Sequence, residues 1–171
     1  FTAALQPLVE YRRAQGLSVS LAALEAVENR FTHGSSSVEA IQRYFRQLTT
    51  KPKYLLLVGD TSYDIAASSW TDTLPTPMLR TRLGGWTASD RLYLQSDVSL
   101  SLPETAVGRI PAASIKELET AVQKILDYER NLSSTVTAAA LADPAETGFT
   151  GDAEHFLSFF PARNTKILAA G

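Results

Sequence analysis

The spacing of apolar residues alternates between helical and strand-like periods along the chain. Leu5, Leu8 and Val9 recur at helical spacing, and Gly16 is placed as a residue that ends a helix. Residues 17–23 then alternate apolar and polar side chains, which is typical of a strand. A short helix is predicted over residues 24–31.

A second helix is predicted from a capping box, the pair Ser36 and Glu39. Its apolar positions are Val38, Ile41, Phe45 and Leu48. The apolar run that follows, residues 53–58, is too short for a helix and ends in Gly59 and Asp60. Such a run predicts a strand buried on both faces, as in a parallel sheet covered by helices. Asp60 would then lie at the carboxyl end of a strand, where sheets of this class bind ligands.

Residues 61–104 are less regular, with several prolines, the pair Gly84-Gly85 and both tryptophans, Trp70 and Trp86. Long irregular segments of this kind are usually functional or covering loops. Short strands are predicted at residues 78–83 and 92–95.

Regular patterns resume with a predicted strand at residues 105–110. A second capping box, Ser114 and Glu117, opens a helix that runs to about Asn131. Its predicted buried positions are Ile115, Leu118, Val122 and Ile125.

The pair Ser133-Ser134 is the best candidate for a junction between subdomains. After it we expect a strand at residues 136–142, a helix at 152–160 and a strand at 165–169. The whole order predicts an α/β fold with a mostly parallel sheet flanked by helices.

Composition narrows the class of protein. The chain has 171 residues, 44% of them hydrophobic and 20% charged, which is typical of a globular domain. A formal net charge of -2 gives no basic stripe and argues against a nucleic-acid partner. No apolar run approaches the roughly 20 residues of a membrane span. The chain has no cysteine, so it can hold neither a disulfide nor a thiolate nucleophile. Phe1 is an unusual start for a protein, and we expect sequence upstream of it.

Five segments together resemble the gingipain-like cysteine peptidases, relatives of the caspases. They are residues 11–17 (YRRAQGL), 37–41 with 54–60 (SVEAI and YLLLVGD), Ser89-Asp90, 107–109 (VGR) and 127–131 (DYERN). The resemblance covers nearly the whole chain, and the segments follow the family's order and approximate spacing. It implies a caspase-like fold with an N-terminal α/β subdomain, residues 1–132, and the beginning of a second, catalytic subdomain, residues 133–171.

The resemblance also implies the activity of the complete protein, a secreted or cell-surface bacterial cysteine endopeptidase. In the family the catalytic His and Cys come later in the sequence, and neither His33 nor His155 matches the catalytic motif. This chain alone would therefore be inactive and would contribute scaffold and part of the substrate cleft. Its expected partners are the remaining C-terminal part of the peptidase domain, in the same or a second chain, and a peptide or protein substrate. No cofactor is required, although structural calcium is compatible with the family.

Two acidic residues match family positions near the active site. By that match Glu146 would orient the catalytic imidazole as the third member of a triad does. Asp143 is an equally placed competitor, and a solvated loop glutamate is the plain alternative. Asp152 matches the floor of the S1 pocket in arginine-specific members, where a carboxylate pairs with a basic side chain. The alternative is that Asp152 caps the helix predicted at residues 152–160.

Other polar residues have a structural and a functional interpretation. Asp60, Thr61, Asp64 and Asp72 form an acidic loop cluster that could bind calcium, although Asp after a strand-ending Gly more often caps its own turn. Arg109 follows a buried strand and needs a carboxylate partner if buried, with Asp90 or Asp60 as candidates. A structural clamp is then favoured over a substrate contact.

The remaining residues favour structural roles. His33 is predicted in an exposed turn, and His155 at a packing or surface position. Trp70 and Trp86 could line a peptide groove, but covering the sheet edge is the commoner role for such residues.

Two other functional classes stay open. One is a non-catalytic binding or scaffold domain with a gingipain-like fold, which the sequence beyond residue 171 would identify by lacking the catalytic pair. The other is a nucleotide-binding or phospho-acceptor domain that uses Asp60. Against it, no Gly-rich phosphate loop follows the first strand, and residues 21–26 offer only Glu25 as an acid.

Overall fold

The computed structural model describes residues 1–34, 38–61, 74–82, 85–94, 105–131, 138–143, 147–160 and 165–169. The chain divides into two compact units, Phe1–Asp127 and Tyr128–Gly171. The fold is mixed α/β, as predicted. Residues 35–37 lie outside the described residues, and so does the first predicted capping box at Ser36.

The first unit contains three helices, four strands and all but the last three residues of a fourth helix among its described residues. In chain order they are α1 (Thr2–Ala14), α2 (Leu24–Thr32), α3 (Val38–Gln47), β1 (Tyr54–Val58), β2 (Met78–Thr81), β3 (Gly85–Ala88), β4 (Ala106–Ile110) and α4 (Ile115–Arg130). A 3-10 helix, Asp90–Tyr93, follows β3.

The predicted end of α1 is confirmed. Gly16 adopts a positive φ of 88°, which glycine tolerates, and its N–H donates to the Arg13 carbonyl at 2.9 Å. The strand predicted at residues 17–23 is wrong, because no described residue pairs with this segment as a strand. Instead Arg13 Nη2 donates to the Val19 carbonyl at 2.9 Å, and Val19 packs against the core.

The parallel pairing predicted for the first buried strand is confirmed. β1 pairs with β4 in parallel, with Leu57 opposite Arg109 and Val58 opposite Ile110. Two apolar clusters cover the two faces of this pair. One is formed with α1 and α4 by Leu5, Leu8, Val9, Ile110, Ala112, Leu118, Val122 and Leu126. The other is formed with α3 by Ile41, Phe45, Leu57, Leu74 and Tyr93.

Burial of β1 on both faces is confirmed only toward its carboxyl end. Leu57 is buried and Val58 packs against the α1–α4 cluster, whereas Tyr54 and Leu56 are exposed. The alternation of exposed and covered side chains is that of a strand with one face open at its start. The apolar run alone could not show this, because it has the same composition on both faces.

The second capping box of the sequence is confirmed at the start of α4. The Glu117 N–H donates to Ser114 Oγ at 3.2 Å, and Glu117 Oε2 accepts from the Ala113 N–H at 2.8 Å. Leu118 and Val122 are buried as predicted. Ile115 is exposed and Ile125 is only partly buried, whereas Leu126 is buried.

A β-hairpin lies between the two strands of the parallel pair in the sequence. β2 and β3 are antiparallel, with Arg80 opposite Trp86. The strand predicted at residues 78–83 is confirmed over Met78–Thr81, but β3 was not predicted. The strand predicted at 92–95 is wrong, because Leu92 and Tyr93 belong to the 3-10 helix.

The second unit contains β5 (Ala138–Ala142), α5 (Thr147–Leu157) and β6 (Thr165–Ala169), and β5 pairs in parallel with β6. Both predicted strands are confirmed within the described residues. α5 starts five residues before the predicted helix, so Asp152 lies inside it and does not cap it. Ala153 and Leu157 are the buried residues of this helix.

None of the helices in the described part of the chain is both long and apolar enough to cross a bilayer.

Candidate functional site

The carboxyl end of the β1–β4 pair carries the most organised group of polar side chains in the described residues. Beyond β1, the Gly59 N–H donates to the Ile110 carbonyl at 3.0 Å and the Asp60 N–H donates to the Ala112 carbonyl at 3.2 Å. The Leu74 N–H donates to the Asp60 carbonyl at 2.8 Å. The chain therefore returns at Leu74 to the point where it left β1.

Gly59 is required by this close approach. Its φ of 142° is one that L side chains rarely adopt, and a Cβ at this position would lie 3.0 Å from Leu74 Cβ. Both the backbone conformation and the nearby Leu74 therefore disfavour a larger residue at this position.

Arg109 is the centre of the site. Its guanidinium forms a two-pronged ion pair with Asp90, Nε to Oδ2 at 2.8 Å and Nη2 to Oδ1 at 2.7 Å. Nη1 donates to the carbonyls of Gly59 at 2.8 Å and Leu74 at 3.0 Å. Nη2 also reaches the Pro75 carbonyl at 3.4 Å. We call these residues, with Thr76 and Tyr93, the Arg109 cluster.

All five N–H groups of the guanidinium are used by these contacts. The acceptors belong to the end of β1, the segment before β2 and the 3-10 helix after β3. Arg109 therefore joins three segments to β4 and keeps no donor for a ligand. The predicted carboxylate partner is confirmed as Asp90, and a clamp describes this arginine better than a substrate contact does.

The electrostatics of the cluster favour the ion pair. The side chains of Arg109 and Asp90 are only 11% and 23% exposed, so water screens the pair weakly. Hydrogen bonds from Arg109 lower the pKa of Asp90, although burial acts in the opposite direction. A hydrogen bond from Thr76 Oγ1 at 2.8 Å lowers this pKa further. Burial opposes the charge of Arg109, but the hydrogen bonds and charge of Asp90 outweigh it and raise the pKa of the guanidinium.

Tyr93 is the buried aromatic member of the Arg109 cluster. Its side chain is buried in the α3 cluster, and its hydroxyl has no hydrogen-bond partner of good geometry in the described structure. Burial raises the pKa of this hydroxyl well above its usual range, so it stays neutral beside Arg109 and Asp90.

Asp60 bonds to the backbone of its own turn in the described structure. Its Oδ1 accepts from the Thr61 N–H at 2.8 Å. Asp64 and Asp72 lie outside the described residues, and within the described ranges no three potential ligands gather into a metal site. The calcium site stays a prediction.

The residues expected near an active site lie in the second unit. Glu146 lies outside the described residues, Asp143 follows β5 directly and is exposed, and Asp152 is exposed within α5. The structure brings none of them together with a catalytic partner, and their roles stay predictions.

The two histidines occupy the positions predicted for them. His33 is exposed at the end of α2 in the left-handed conformation, with φ at 54°. His155 is exposed and its ring contacts that of Phe159 at 5.1 Å between centroids.

Sequence reasoning missed three features of this region: Thr76, the buried Tyr93 and the exposed face of the hairpin. Trp86 does not cover the sheet edge, because its side chain is 66% exposed on β3. Trp70 lies outside the described residues. A usable signal existed for Tyr93, which follows Asp90 by three residues and so lies one turn away from it.

Comparison with known proteins agrees with this α/β architecture. The chain matches the model of peptidase family C25 over residues 1–167. It is similar in structure to a crystal structure of dimeric latent PorU from Porphyromonas gingivalis, with a TM-score of 0.58 and 20% sequence identity. The likeness covers 91% of this chain and 19% of the PorU chain, and at that identity it shows the fold alone. No curated protein matches the chain.

Proposed function

Because the chain belongs to peptidase family C25, we propose that it forms the front part of the catalytic domain of a gingipain-like cysteine endopeptidase. The observation that carries the proposal is the family match, which runs over residues 1–167 rather than over one motif. The parallel β1–β4 pair with helices on both faces is compatible with the caspase-like fold of such a domain.

The reaction would be acyl transfer to a cysteine thiolate, with a histidine as general base and acid. The thiolate attacks the peptide carbonyl, the amine leaves with a proton from the histidine, and water then releases the acyl group. This chain has no cysteine, and neither His33 nor His155 matches the family's catalytic motif, so both catalytic groups would come from other parts of the protein. Its own residues would form a subdomain over 1–132 and the beginning of the catalytic subdomain over 133–171.

Two side chains of this chain would act at the cleft. Asp152 would pair with a basic P1 side chain of the substrate, and its exposure on α5 leaves the carboxylate accessible for that contact. Glu146 would orient the catalytic imidazole. A peptidase of this kind would act at the cell surface or outside the cell, on peptides or proteins.

The test is hydrolysis of fluorogenic peptides by the full-length protein, with Arg, Lys or Ala at P1. We expect cleavage after Arg that iodoacetamide abolishes. A full-length protein that neither cleaves any of the three peptides nor reacts with a thiol-directed peptide probe would contradict the proposal and favour a non-catalytic scaffold.

The S1 role of Asp152 has a matched control on the same helix. Asp152→Asn should lower kcat/KM for the Arg peptide by about tenfold or more while leaving the Ala peptide nearly unchanged. Glu154→Gln removes another exposed carboxylate of α5 and should change neither. Equal cleavage of Arg and Ala peptides by the unaltered protein would remove the basis for this assignment.

A further inference from the structure

One face of the β2–β3 hairpin combines exposed apolar and cationic side chains. Directly opposed residues of an antiparallel pair lie on the same face, as do residues two apart on one strand. Arg80 is opposite Trp86 and Met78 is opposite Ala88, so these four residues share a face, which we call the hairpin face. The Trp86 side chain is 66% exposed and Met78 is 37% exposed.

The hairpin carries positive charge that forms no ion pair within the part of the chain that the structure describes. The sequence from residue 74 to residue 89 contains no Asp or Glu, whereas it contains Arg80 and Arg82, both exposed. Neither arginine forms an ion pair with an acidic residue of the described structure. The nearest acid after the hairpin is Asp90, whose charge is already paired with Arg109.

The base of the hairpin is held firmly. The Ser89 N–H donates to the Pro77 carbonyl at 2.9 Å, just outside the paired strands. Thr76, before β2, bonds to Asp90, after β3, and Arg109 holds both sides. Because the base is fixed, the backbone of the hairpin loses little conformational entropy when a partner binds.

We propose that the hairpin face is a docking surface for an acidic, extended segment of another polypeptide. Trp, Met and Arg are the residues enriched at the centres of protein interfaces, and Trp and Arg dominate binding energy there. Two arginines that pair with no acidic residue among those described favour a negatively charged partner. Nucleic acid fits less well, because it is held by a longer row of phosphate contacts than two cations supply. The proposal does not depend on peptidase activity.

The probe is a fluorescein-labelled ten-residue peptide of alternating Glu and Leu, and binding to the full-length protein is followed by fluorescence anisotropy. We expect binding that weakens as salt increases. We also expect the same peptide with Gln in place of Glu to bind at least tenfold more weakly, because the two arginines then meet no charge.

The variants separate the hairpin face from the net charge of the protein. Trp86→Ala should weaken binding by about tenfold, whereas Trp86→Phe, which keeps an aromatic ring, should stay within about threefold of the unaltered protein. Arg80→Gln with Arg82→Gln should weaken binding about fivefold and reduce its salt dependence. The matched control, Lys116→Gln with Lys124→Gln, removes two exposed cations from α4 and should leave binding within about twofold.

Three results would overturn the proposal. One is equal binding of the Glu and Gln peptides, and another is equal weakening by the hairpin and α4 variants. The third is tighter binding of a single-stranded oligonucleotide that displaces the peptide, which would assign the face to nucleic acid. Because the assay measures binding alone, its outcome is independent of whether the protein cleaves peptides.

Discussion

Replacing Arg109 should loosen the carboxyl end of the β1–β4 pair locally. Arg109→Lys keeps the charge but offers three donors from one point, where the guanidinium offers five from a planar fork. At least two of the five contacts are then lost, and one of them is the long contact to Pro75 at 3.4 Å, which contributes little. One or two unsatisfied buried acceptors correspond to about 2 kcal/mol.

Arg109→Met should cost more than Arg109→Lys because it leaves the Asp90 carboxylate without its partner. Removing one member of a buried ion pair costs roughly 3–5 kcal/mol, and the 23% exposure of Asp90 places this case near the lower value. The order of stability should therefore be Arg, then Lys, then Met.

Hydrogen exchange followed by mass spectrometry can measure this in the full-length protein. The amides to follow are those of Leu74, bonded to the Asp60 carbonyl, and Ser89, bonded to the Pro77 carbonyl. A local loss of about 3 kcal/mol raises their exchange rates by about a hundredfold in Arg109→Met. Amides in the middle of α1 should be unaffected.

The matched control is Arg43→Met. Arg43 pairs with Glu39 at 2.6 Å, as short as the Arg109 pair, but the two side chains are 49% and 57% exposed. Its removal should change exchange by less than about threefold, since exposed pairs of this spacing contribute about 0.5 kcal/mol. If Arg109→Met accelerated exchange no more than Arg43→Met did, burial would not be what makes the Arg109 cluster strong, and the reasoning would be refuted.

Three further predictions concern pH, backbone conformation and core packing. The lowered pKa of Asp90 contributes stability that is present above its ordinary value of 3.8 and is lost as the pH falls through the folded-state pKa. Urea unfolding of the unaltered protein and Asp90→Asn should therefore differ at pH 7 and converge in acid, and a constant difference would contradict the assignment. Gly59→Ala should destabilise the protein by about 1–3 kcal/mol, because of the φ of 142° and the contact of the added Cβ with Leu74. Gly108→Ala should not destabilise it in this way, because nothing lies within 4 Å of the added Cβ. Similar melting temperatures for the two variants would show that the strain at Gly59 is absent. Leu118→Ala, at a side chain that is 0% exposed, should lower the free energy of unfolding by about 2–5 kcal/mol. Ile115→Ala, in the exposed first turn of α4, should lower it by less than about 1 kcal/mol. Equal losses for the two variants in urea unfolding would contradict this prediction.

Elements with local signals could be predicted from the sequence, because their causes lie within a few residues. The capping box of Ser114 and Glu117 and the glycine that ends α1 are side-chain and backbone effects of single turns. The apolar run of β1 predicts a strand because it is too short for a typical helix and is bounded by Pro52 and Gly59. Parallel pairing followed from the same argument and is confirmed, and the structure identifies β4 as the partner.

Elements that depend on distant contacts could not be predicted in the same way. Residues 17–23 alternate like a strand, yet a strand also needs a partner, and Arg13 takes the Val19 carbonyl instead. The composition of the segment at Leu92 predicts a strand. The pairing of Asp90 with Arg109 and the burial of Tyr93 favour a tight 3-10 turn instead. α5 begins before its two glycines, Gly148 and Gly151, which each cost about 1 kcal/mol in a helix, because packing of its later turns outweighs propensity.

In the candidate site, too, local features could be predicted from the sequence and distant contacts could not. The sequence indicated that Arg109 needs a carboxylate and named Asp90 among the candidates, because charge and burial can be inferred from residue types. The three other acceptors are backbone carbonyls of Gly59, Leu74 and Pro75, which every residue type possesses and which therefore leave no trace in composition. Since these carbonyls lie on both sides of the segment between β1 and β2, the planar fork of an arginine is the side chain that can reach all of them at once. The choice of Arg over Lys at this position thus follows from the geometry of the backbone around it, and a clamp of this kind becomes visible only when the fold is known.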